Sequence, residues 1–324
     1  MRILLWHVHG AWTTAFVHGK HEYLVPVNAA RDRYGLGRAR TYDWPESVVE
    51  VTAEGLRRAE VDAVILQRPE ELELASTLLG RRVGRDVPAC YVEHNAPRGD
   101  VPDTRHPLAD RDDLLIVHVT HFNDLFWDAG STRTAVVEHG VPQPRTRYSG
   151  ELARLGAAVN EPVRRWRVAG TDLLPRFARV APVDVFGIGA AGLPERLGLP
   201  DDRLRCYDDP PQRRLHRELG RRRVYLHPFR WTSLGLSLIE AMAMGIPVLA
   251  LATTEAVAAV PPAAGVLDTN VDTLVQAAVW LMEEPEAALR LGAAGREVAR
   301  SRYGLDRFLA DWDRLLEGET CALP

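Results

Sequence analysis

Short apolar segments alternate with helical segments along most of this chain of 324 residues. In the first half, RILLWHV, VDAVILQ, ACYVEH, LLIVHVTH and TAVVEHGVP have the length and hydrophobicity of buried strands. The segment ELELASTLLGRR has apolar residues at helical spacing. Strands that alternate with helices predict an α/β fold in which helices cover both faces of a parallel sheet.

The alternation is interrupted between about Pro142 and Leu155, where PQPRTRYSGEL is polar and rich in turn-forming residues, and we interpret this region as a linker. It then resumes with the strands VDVFGIG, RLRCYDD, VYLHPF and IPVLALAT and the helices QRRLHRELGRR and LGLSLIEAMAM. We therefore predict two doubly wound, Rossmann-like domains that face a cleft, residues 1–150 and 151–303. A helix at about 304–318 is expected to pack back on the first domain.

Composition excludes several classes of protein. The net charge of −4 and the pI near 6.3 give no basic field for nucleic acid. We interpret the arginine clusters Arg213–Arg214 and Arg221–Arg223 as solvated surface. The odd number of cysteines, Cys90, Cys206 and Cys321, argues against a disulfide framework. No segment predicts a signal peptide or a membrane span, so we expect a cytoplasmic protein with at most peripheral membrane contact.

One carboxylate lies inside an apolar helix in the segment RWTSLGLSLIEAMAMGIPVLA. Glu240 is surrounded by Leu, Ile, Ala and Met, and a buried carboxylate requires partners. We predict a helix from about Gly235 to Met244, with Thr232 and Ser233 as candidate N-caps. Gly245 suits the helix C-cap, and Pro247 follows where the helix has already ended.

The start of this helix predicts an anion site. Backbone N–H groups at Leu234, Gly235 and Leu236 would lack intrahelical partners, and such groups suit a phosphate. Glu240 lies about 7.5 Å further along the helix axis. In a nucleoside diphosphate whose phosphate occupies the helix start, the ribose hydroxyls lie at about this distance from the phosphate, and a carboxylate accepts hydrogen bonds from them. In the alternative interpretation, Glu240 faces solvent or pairs with an arginine.

The same segment resembles the signature of the family-four, or group 1, glycosyltransferases. The resemblance extends to VEHGVP before the linker and to LRLGAAGREVARSRYGLDRF near the C-terminus. It implies the GT-B fold and metal-independent transfer of a sugar, with retention of configuration, from a nucleotide-diphosphate donor to a glycan, lipid-linked or small-molecule acceptor. No cofactor besides this donor is implied. The matching residues of the signature are Glu240, Ala241, Met242, Gly245 and Pro247.

The chain departs from the family pattern at two places. Thr232 occupies the position of a family glutamate that helps to hold the donor sugar, although threonine still donates or accepts a hydrogen bond. The family's diphosphate-binding Arg and Lys correspond to Asn160 and Ala169 in VNEPVRRWRVAGTDLL. A nearby arginine is expected to supply the charge that the leaving diphosphate requires, with surface charge as the alternative role. The candidates are Arg164, Arg165 and Arg167.

Two further residues follow strands of the first half. His94 ends ACYVEH, and the resemblance implies that it contacts the donor sugar, with a structural histidine as the alternative. Gly10 lies after the first strand, where the family has a glycine-bearing loop for acceptor or diphosphate.

The remaining histidines predict no metal site. His7 and His9 would share a face of the first strand, and His18 and His21 follow it, but no complementary ligands complete either pair.

Two other functions remain open within the predicted fold. One is a nucleotide-sugar epimerase of the GT-B type. The other is a catalytically weak sugar-nucleotide binding protein, which the changes at Thr232 and Ala169 motivate.

Overall fold

The computed structural model describes residues 1–318, and residues 319–324, including Cys321, lie outside the described part. The described residues divide into two compact units: Met1–Val141 together with 305–318, and Pro142–Gly304. Each unit has one parallel sheet flanked by helices, which confirms the predicted fold class of two Rossmann-like domains. No helix within residues 1–318 is long and apolar enough to cross a membrane.

The first unit contains a seven-stranded parallel sheet in the order β3-β2-β1-β4-β5-β6-β7. Its strands are β1 (Arg2–Leu5), β2 (Glu22–Pro26), β3 (Val48–Val51), β4 (Ala63–Leu66), β5 (Ala89–Glu93), β6 (Leu115–His118) and β7 (Arg133–Val136). Its helices are α1 (Gly10–Phe16), α2 (Ala53–Arg58), α3 (Glu71–Leu79) and α4 (His121–Phe126), joined by the last helix of the chain, α13 (Leu305–Leu316).

The second unit contains a six-stranded parallel sheet in the order β10-β9-β8-β11-β12-β13. Its strands are β8 (Leu152–Ala158), β9 (Val183–Gly187), β10 (Leu204–Asp208), β11 (Arg222–His227), β12 (Val248–Leu251) and β13 (Gly265–Asp268). Its helices are α5 (Pro162–Arg165), α6 (Leu174–Ala178), α7 (Leu193–Leu197), α8 (Gln212–Leu219), α9 (Leu236–Met244), α10 (Ala256–Ala259), α11 (Val271–Glu283) and α12 (Pro285–Arg302).

Four strands were not predicted: β2, β3, β8 and the four-residue β13. The first two have only five and four residues, too few to show a clear pattern. Strand β8 begins at Leu152, so the predicted linker is wrong at its C-terminal end. Its sequence LARLGAA places an arginine and a glycine among apolar residues, which weakens the strand signal.

The charged residue Arg222 lies at the start of β11, although its sequence cluster predicted a solvated position. It is 2% exposed, and its Nε donates to Asp184 Oδ2 on β9 at 2.7 Å. Arg154 of β8 donates from Nε to the other oxygen of Asp184 at 2.9 Å. Arg222 Nη1 also donates to Glu218 Oε2 of α8 at 2.7 Å. This buried ion network, which consists of Arg154, Asp184, Glu218 and Arg222, joins β8, β9, β11 and α8.

Helix α9 is held at its C-terminal end by a close approach to α12. Gly245 ends α9 as its C-cap with a φ of 89°, in the left-handed region that favours glycine, as predicted. A Cβ added to Gly292 of α12 would lie 1.9 Å from the carbonyl oxygen of Gly245. The two backbones therefore come together only because residue 292 has no side chain.

We predict that Asp184→Ala lowers the free energy of unfolding by about 3–5 kcal/mol, because it leaves two guanidinium groups without their buried partner. Urea unfolding at neutral pH, followed by circular dichroism, measures the change. The matched control is Glu297→Ala. Glu297 pairs with Arg300, both side chains are more than 60% exposed, and the expected effect is within about 0.5 kcal/mol. Equal destabilisation by the two substitutions would contradict the prediction.

Candidate functional site

The loop that joins β11 to α9 lies at the carboxyl edge of the second sheet, where open α/β sheets bind ligands. The backbone N–H groups of Arg230 and Trp231 donate to the carbonyl of Val168 at 3.0 and 3.3 Å. From the other side, Thr253 Oγ1 donates to the carbonyl of Phe229 at 2.8 Å. The loop is therefore held by the segments that follow β8 and β12.

Helix α9 begins without a side-chain cap. Its N-cap is Gly235, with φ −70° and ψ 120°, so the prediction of Thr232 or Ser233 as N-cap is wrong. The helix begins at Leu236, and both hydroxyl residues therefore lie upstream of the capping position. No acidic residue lies in the first turn. The N–H groups of this turn and the positive end of the helix dipole together favour an anion.

His227 packs beneath the helix start. Its ring stacks against that of Phe229, with 4.6 Å between the ring centres. A Cβ added to Gly235 would lie 2.8 Å from His227 Cε1, so the glycine allows the helix start to approach the imidazole. Burial, with a smaller effect from the charge of Arg165, lowers the pKa of His227 to about 3. The ring beneath the helix start is therefore neutral near pH 7.

The structure distinguishes the three candidate arginines. Arg164 Nε donates to Glu161 Oε1 at 2.8 Å, and the Arg164 side chain is largely exposed. Arg167 Nη1 lies 3.3 Å from Asp172 Oδ2 and is also largely exposed. Arg165 is half-buried, and its guanidinium carbon lies 5.2 Å from the centre of the Phe229 ring. Arg165 is thus the candidate that lies over the loop preceding α9.

The two positions aligned with the family's Arg and Lys have structural roles here. Asn160 Oδ1 accepts a hydrogen bond from Ile188 N at 3.0 Å, which joins the loops after β8 and β9. Ala169 is completely buried. Neither residue supplies positive charge to this edge of the sheet.

Glu240 is 8% exposed, and two side chains of α8 contact its carboxylate. Gln212 Nε2 donates to Oε1 at 3.0 Å, and His216 Nε2 lies 3.3 Å from Oε2. The carboxylate therefore neither faces solvent nor pairs with an arginine in the described part of the chain.

Sequence reasoning missed both Gln212 and His216. They lie four residues apart, on the face of α8 that also carries Leu215 and the buried Leu219, while Arg213, Arg214 and Arg217 are exposed. This spacing of two polar residues on the apolar side of an amphipathic helix is the signal that could have identified them.

The predicted residues Gly10 and His94 belong to the first unit. Gly10 is the first residue of α1, and a Cβ there would lie 2.9 Å from the Tyr42 ring. His94 follows β5, and its ring centre lies 3.9 Å from that of His9. Burial, and then the nearby His9 and His139, lower the pKa of His94 well below its ordinary value. His94 therefore offers a neutral imidazole at the carboxyl edge of the first sheet.

The histidine pairs considered for a metal lie elsewhere than predicted. Strand β1 ends at Leu5, so His7 and His9 lie beyond the strand rather than on one of its faces. His21 Nε2 lies 3.0 Å from Asp313 Oδ1 of α13. Within residues 1–318, no group of three or more His, Cys, Asp or Glu side chains is arranged to hold a metal ion.

We predict that His227 makes stability depend on pH. An unfolded-state histidine titrates near 6.5 and the folded one near 3, so the unfolded chain binds more protons between these values. The contribution of the neutral, buried His227 ring to the free energy of unfolding is therefore fully present above about pH 6.5, and it is lost as the pH falls. His227→Gln should make the free energy of unfolding fall less steeply over that range, as measured by urea titrations at successive pH values. Parallel curves for the variant and the parent would contradict this.

Comparisons with known proteins agree with this geometry. Residues 201–298, which include α8, β11, α9 and β12, match the family model described as glycosyl transferases group 1. No curated protein matches the chain. The resemblance recognised in the sequence is therefore confirmed over the part of the chain that carries Glu240.

Solved structures similar to this chain cover almost all of it. Sucrose-phosphate synthase from Thermosynechococcus elongatus superposes with a TM-score of 0.75 at 14% identity, covering 98% of each chain. A glycosyltransferase from Rickettsia africae has a TM-score of 0.70 at 12% identity, again with 98% of each chain covered. HepE from Anabaena, in complex with UDP, has a TM-score of 0.69 at 14% identity, covering 98% of this chain and all of HepE. At these identities the similarity shows the GT-B fold.

Proposed function

We propose that this chain, which has the GT-B fold and a group 1 glycosyl transferase sequence at residues 201–298, transfers a sugar from a nucleotide-diphosphate donor to an acceptor. The observation that carries the proposal is the pairing of two features on α9. The helix start has no side-chain cap, so its first N–H groups lack intrahelical partners, and the buried Glu240 carboxylate lies about 7.5 Å further along the axis. A phosphate and a ribose of one nucleotide suit these two features.

The diphosphate would bind at the helix start and beside one arginine. The backbone N–H groups from Ser233 to Leu236 take the distal phosphate, with the helix dipole favouring its charge. Arg165 neutralises the charge that develops on the leaving diphosphate, because its half-buried guanidinium lies over the Phe229 ring in the loop before α9, whereas Arg164 and Arg167 are largely exposed.

The sugar would be oriented by a neutral group. Thr232, in the loop before α9, offers one hydroxyl where the resemblance implies a family glutamate, and this hydroxyl donates or accepts a hydrogen bond. We propose retention of configuration by front-face attack, assisted by the leaving phosphate and without a metal ion. HepE, which shares the fold, is described in complex with UDP-glucose, and this supports a nucleotide sugar as the donor.

The activity is tested with purified protein and a panel of nucleotide sugars and acceptors. Release of a nucleoside diphosphate together with a glycosylated product supports the proposal. An epimerised sugar would instead identify an epimerase of the same fold. Saturable binding without turnover of any donor would identify a sugar-nucleotide binding protein.

We predict that Glu240→Gln weakens the affinity for a nucleoside diphosphate by about 1–3 kcal/mol, the range for hydrogen bonds to a charged group. Isothermal titration calorimetry measures the change, and circular dichroism checks the fold. The matched control is Glu286→Gln, the same change on the exposed start of α12, which should leave the affinity unaltered. An unchanged affinity in Glu240→Gln would exclude ribose binding by this carboxylate.

We also predict that Arg165→Ala weakens the affinity for a nucleoside diphosphate by about 2 kcal/mol, because it removes a charge-assisted contact to phosphate. Arg164→Ala is its control, since the Arg164 guanidinium is paired with Glu161. The same titrations with the corresponding nucleoside, which has no phosphate, should show no difference between the two variants. A larger loss in Arg164→Ala than in Arg165→Ala would contradict the assignment.

A further inference from the structure

We propose that Gln212 and His216 are positioning residues that orient the Glu240 carboxylate toward the ribose, and that they set the preference for ribonucleotides over deoxyribonucleotides. The inference rests on the proposed function, in which Glu240 accepts hydrogen bonds from ribose hydroxyls. It adds α8, a helix outside the segment RWTSLGLSLIEAMAMGIPVLA, to the nucleotide site.

The contacts to Glu240 divide between its two oxygens. Gln212 Nε2 lies 3.0 Å from Oε1, whereas His216 Nε2 lies 3.3 Å from Oε2. Both side chains come from one face of one helix, at positions i and i+4. A carboxylate that accepts a hydrogen bond at Oε1 and has the His216 ring against Oε2 cannot rotate freely about its last torsion, so its plane is defined before a ligand binds.

The held carboxylate keeps acceptor capacity for a ligand. An ionised carboxylate has about four acceptor positions, and the hydrogen bond from Gln212 Nε2 occupies one of them, while His216 Nε2 lies 3.3 Å from Oε2. Neither partner carries a fixed positive charge, unlike the arginines that neutralise Asp184 in the same unit. The remaining positions suit two neutral hydroxyl donors, such as the vicinal pair of a ribose.

The position of α8 is itself defined by the buried ion network. Glu218, two residues after His216, accepts from Arg222 Nη1 at 2.7 Å, and Arg222 is bound in turn to Asp184. Arg222 Nη1 also donates to the backbone carbonyl of Glu218 at 2.5 Å. The C-terminal half of α8 is thereby attached to β9 and β11, and Gln212 and His216 face Glu240 from a fixed support.

A comparison of two ligands distinguishes a positioning role of Gln212 and His216 from a general structural role. A misoriented carboxylate loses its hydrogen bonds to the ribose hydroxyls but leaves the contacts to base and phosphates unchanged. Loss of Gln212 or His216 should therefore weaken a ribonucleotide and not its dideoxy analogue. A substitution that only disturbs the fold would weaken both ligands together.

The experiment uses the full chain and calorimetric titration. Uridine, adenosine and guanosine diphosphates identify the preferred base, and the preferred ligand is then compared with its 2′,3′-dideoxy analogue. We expect the parent to prefer the ribonucleotide by roughly tenfold or more, and Gln212→Leu and His216→Leu each to reduce this ratio by severalfold. His216→Gln, which retains an N–H donor, should restore much of the ratio. Arg214→Leu, on the exposed face of α8, is the control and should leave the ratio unchanged.

The results that would contradict the inference differ from those that would contradict the proposed function. If Glu240→Gln abolishes the preference while the Gln212 and His216 variants retain it, the inference is overturned and the proposed function stands. Equal weakening of both ligands in the α8 variants would show a purely structural role, and tighter ribonucleotide binding would show that the two side chains compete with ribose. Either result overturns the inference. If the parent binds no nucleoside diphosphate, the proposed function and the inference both fail.

Discussion

The ion network centred on Asp184 and Arg222 is the interaction on which the second unit depends most. It joins the buried Asp184 and Arg222 to the half-buried Arg154 where β8, β9 and β11 meet, and it extends through Glu218 to α8. Such a network is weak evidence for stability, because desolvation offsets much of the attraction. Its consequence is geometric: it requires three strands and one helix to adopt a single arrangement, and α8 is the helix that supports Glu240.

The proposed nucleotide site combines a helix terminus with a small number of charges. The N–H groups at the start of α9 and the guanidinium of Arg165 provide positive potential, while the buried His227 stays neutral. Glu240 supplies the one carboxylate within the helix, at a distance that separates it from the phosphate position. Positive potential therefore lies at the helix start, where it suits an anionic phosphate. The negative charge of Glu240 lies further along the helix, where it suits the hydroxyl groups of a ribose.

Much of the fold was predictable from the sequence because a buried parallel strand requires a continuous apolar run. This applied to β4, β5, β6, β9 and β12, and to α9, whose end at Gly245 was also correct. The prediction failed where a strand contains residues that are paired inside the fold. Arg154 and Arg222 belong to strands, yet their charges are typical of surfaces, and so β8 was missed and Arg222 was assigned to a solvated cluster.

The sequence by itself determined the fold class, the helix that carries Glu240 and the resemblance to group 1 glycosyl transferases, because these depend on local periodicity and on one contiguous signature. Only the tertiary structure decided which of three neighbouring arginines lies over the loop before α9, and that Gln212 and His216 hold the carboxylate. These features depend on contacts between segments separated by 28 and 64 residues, Gln212 with Glu240 and Arg165 with Phe229. Residues that distant in the chain meet only because the parallel sheet brings its carboxyl-end loops together, and no local pattern encodes that meeting.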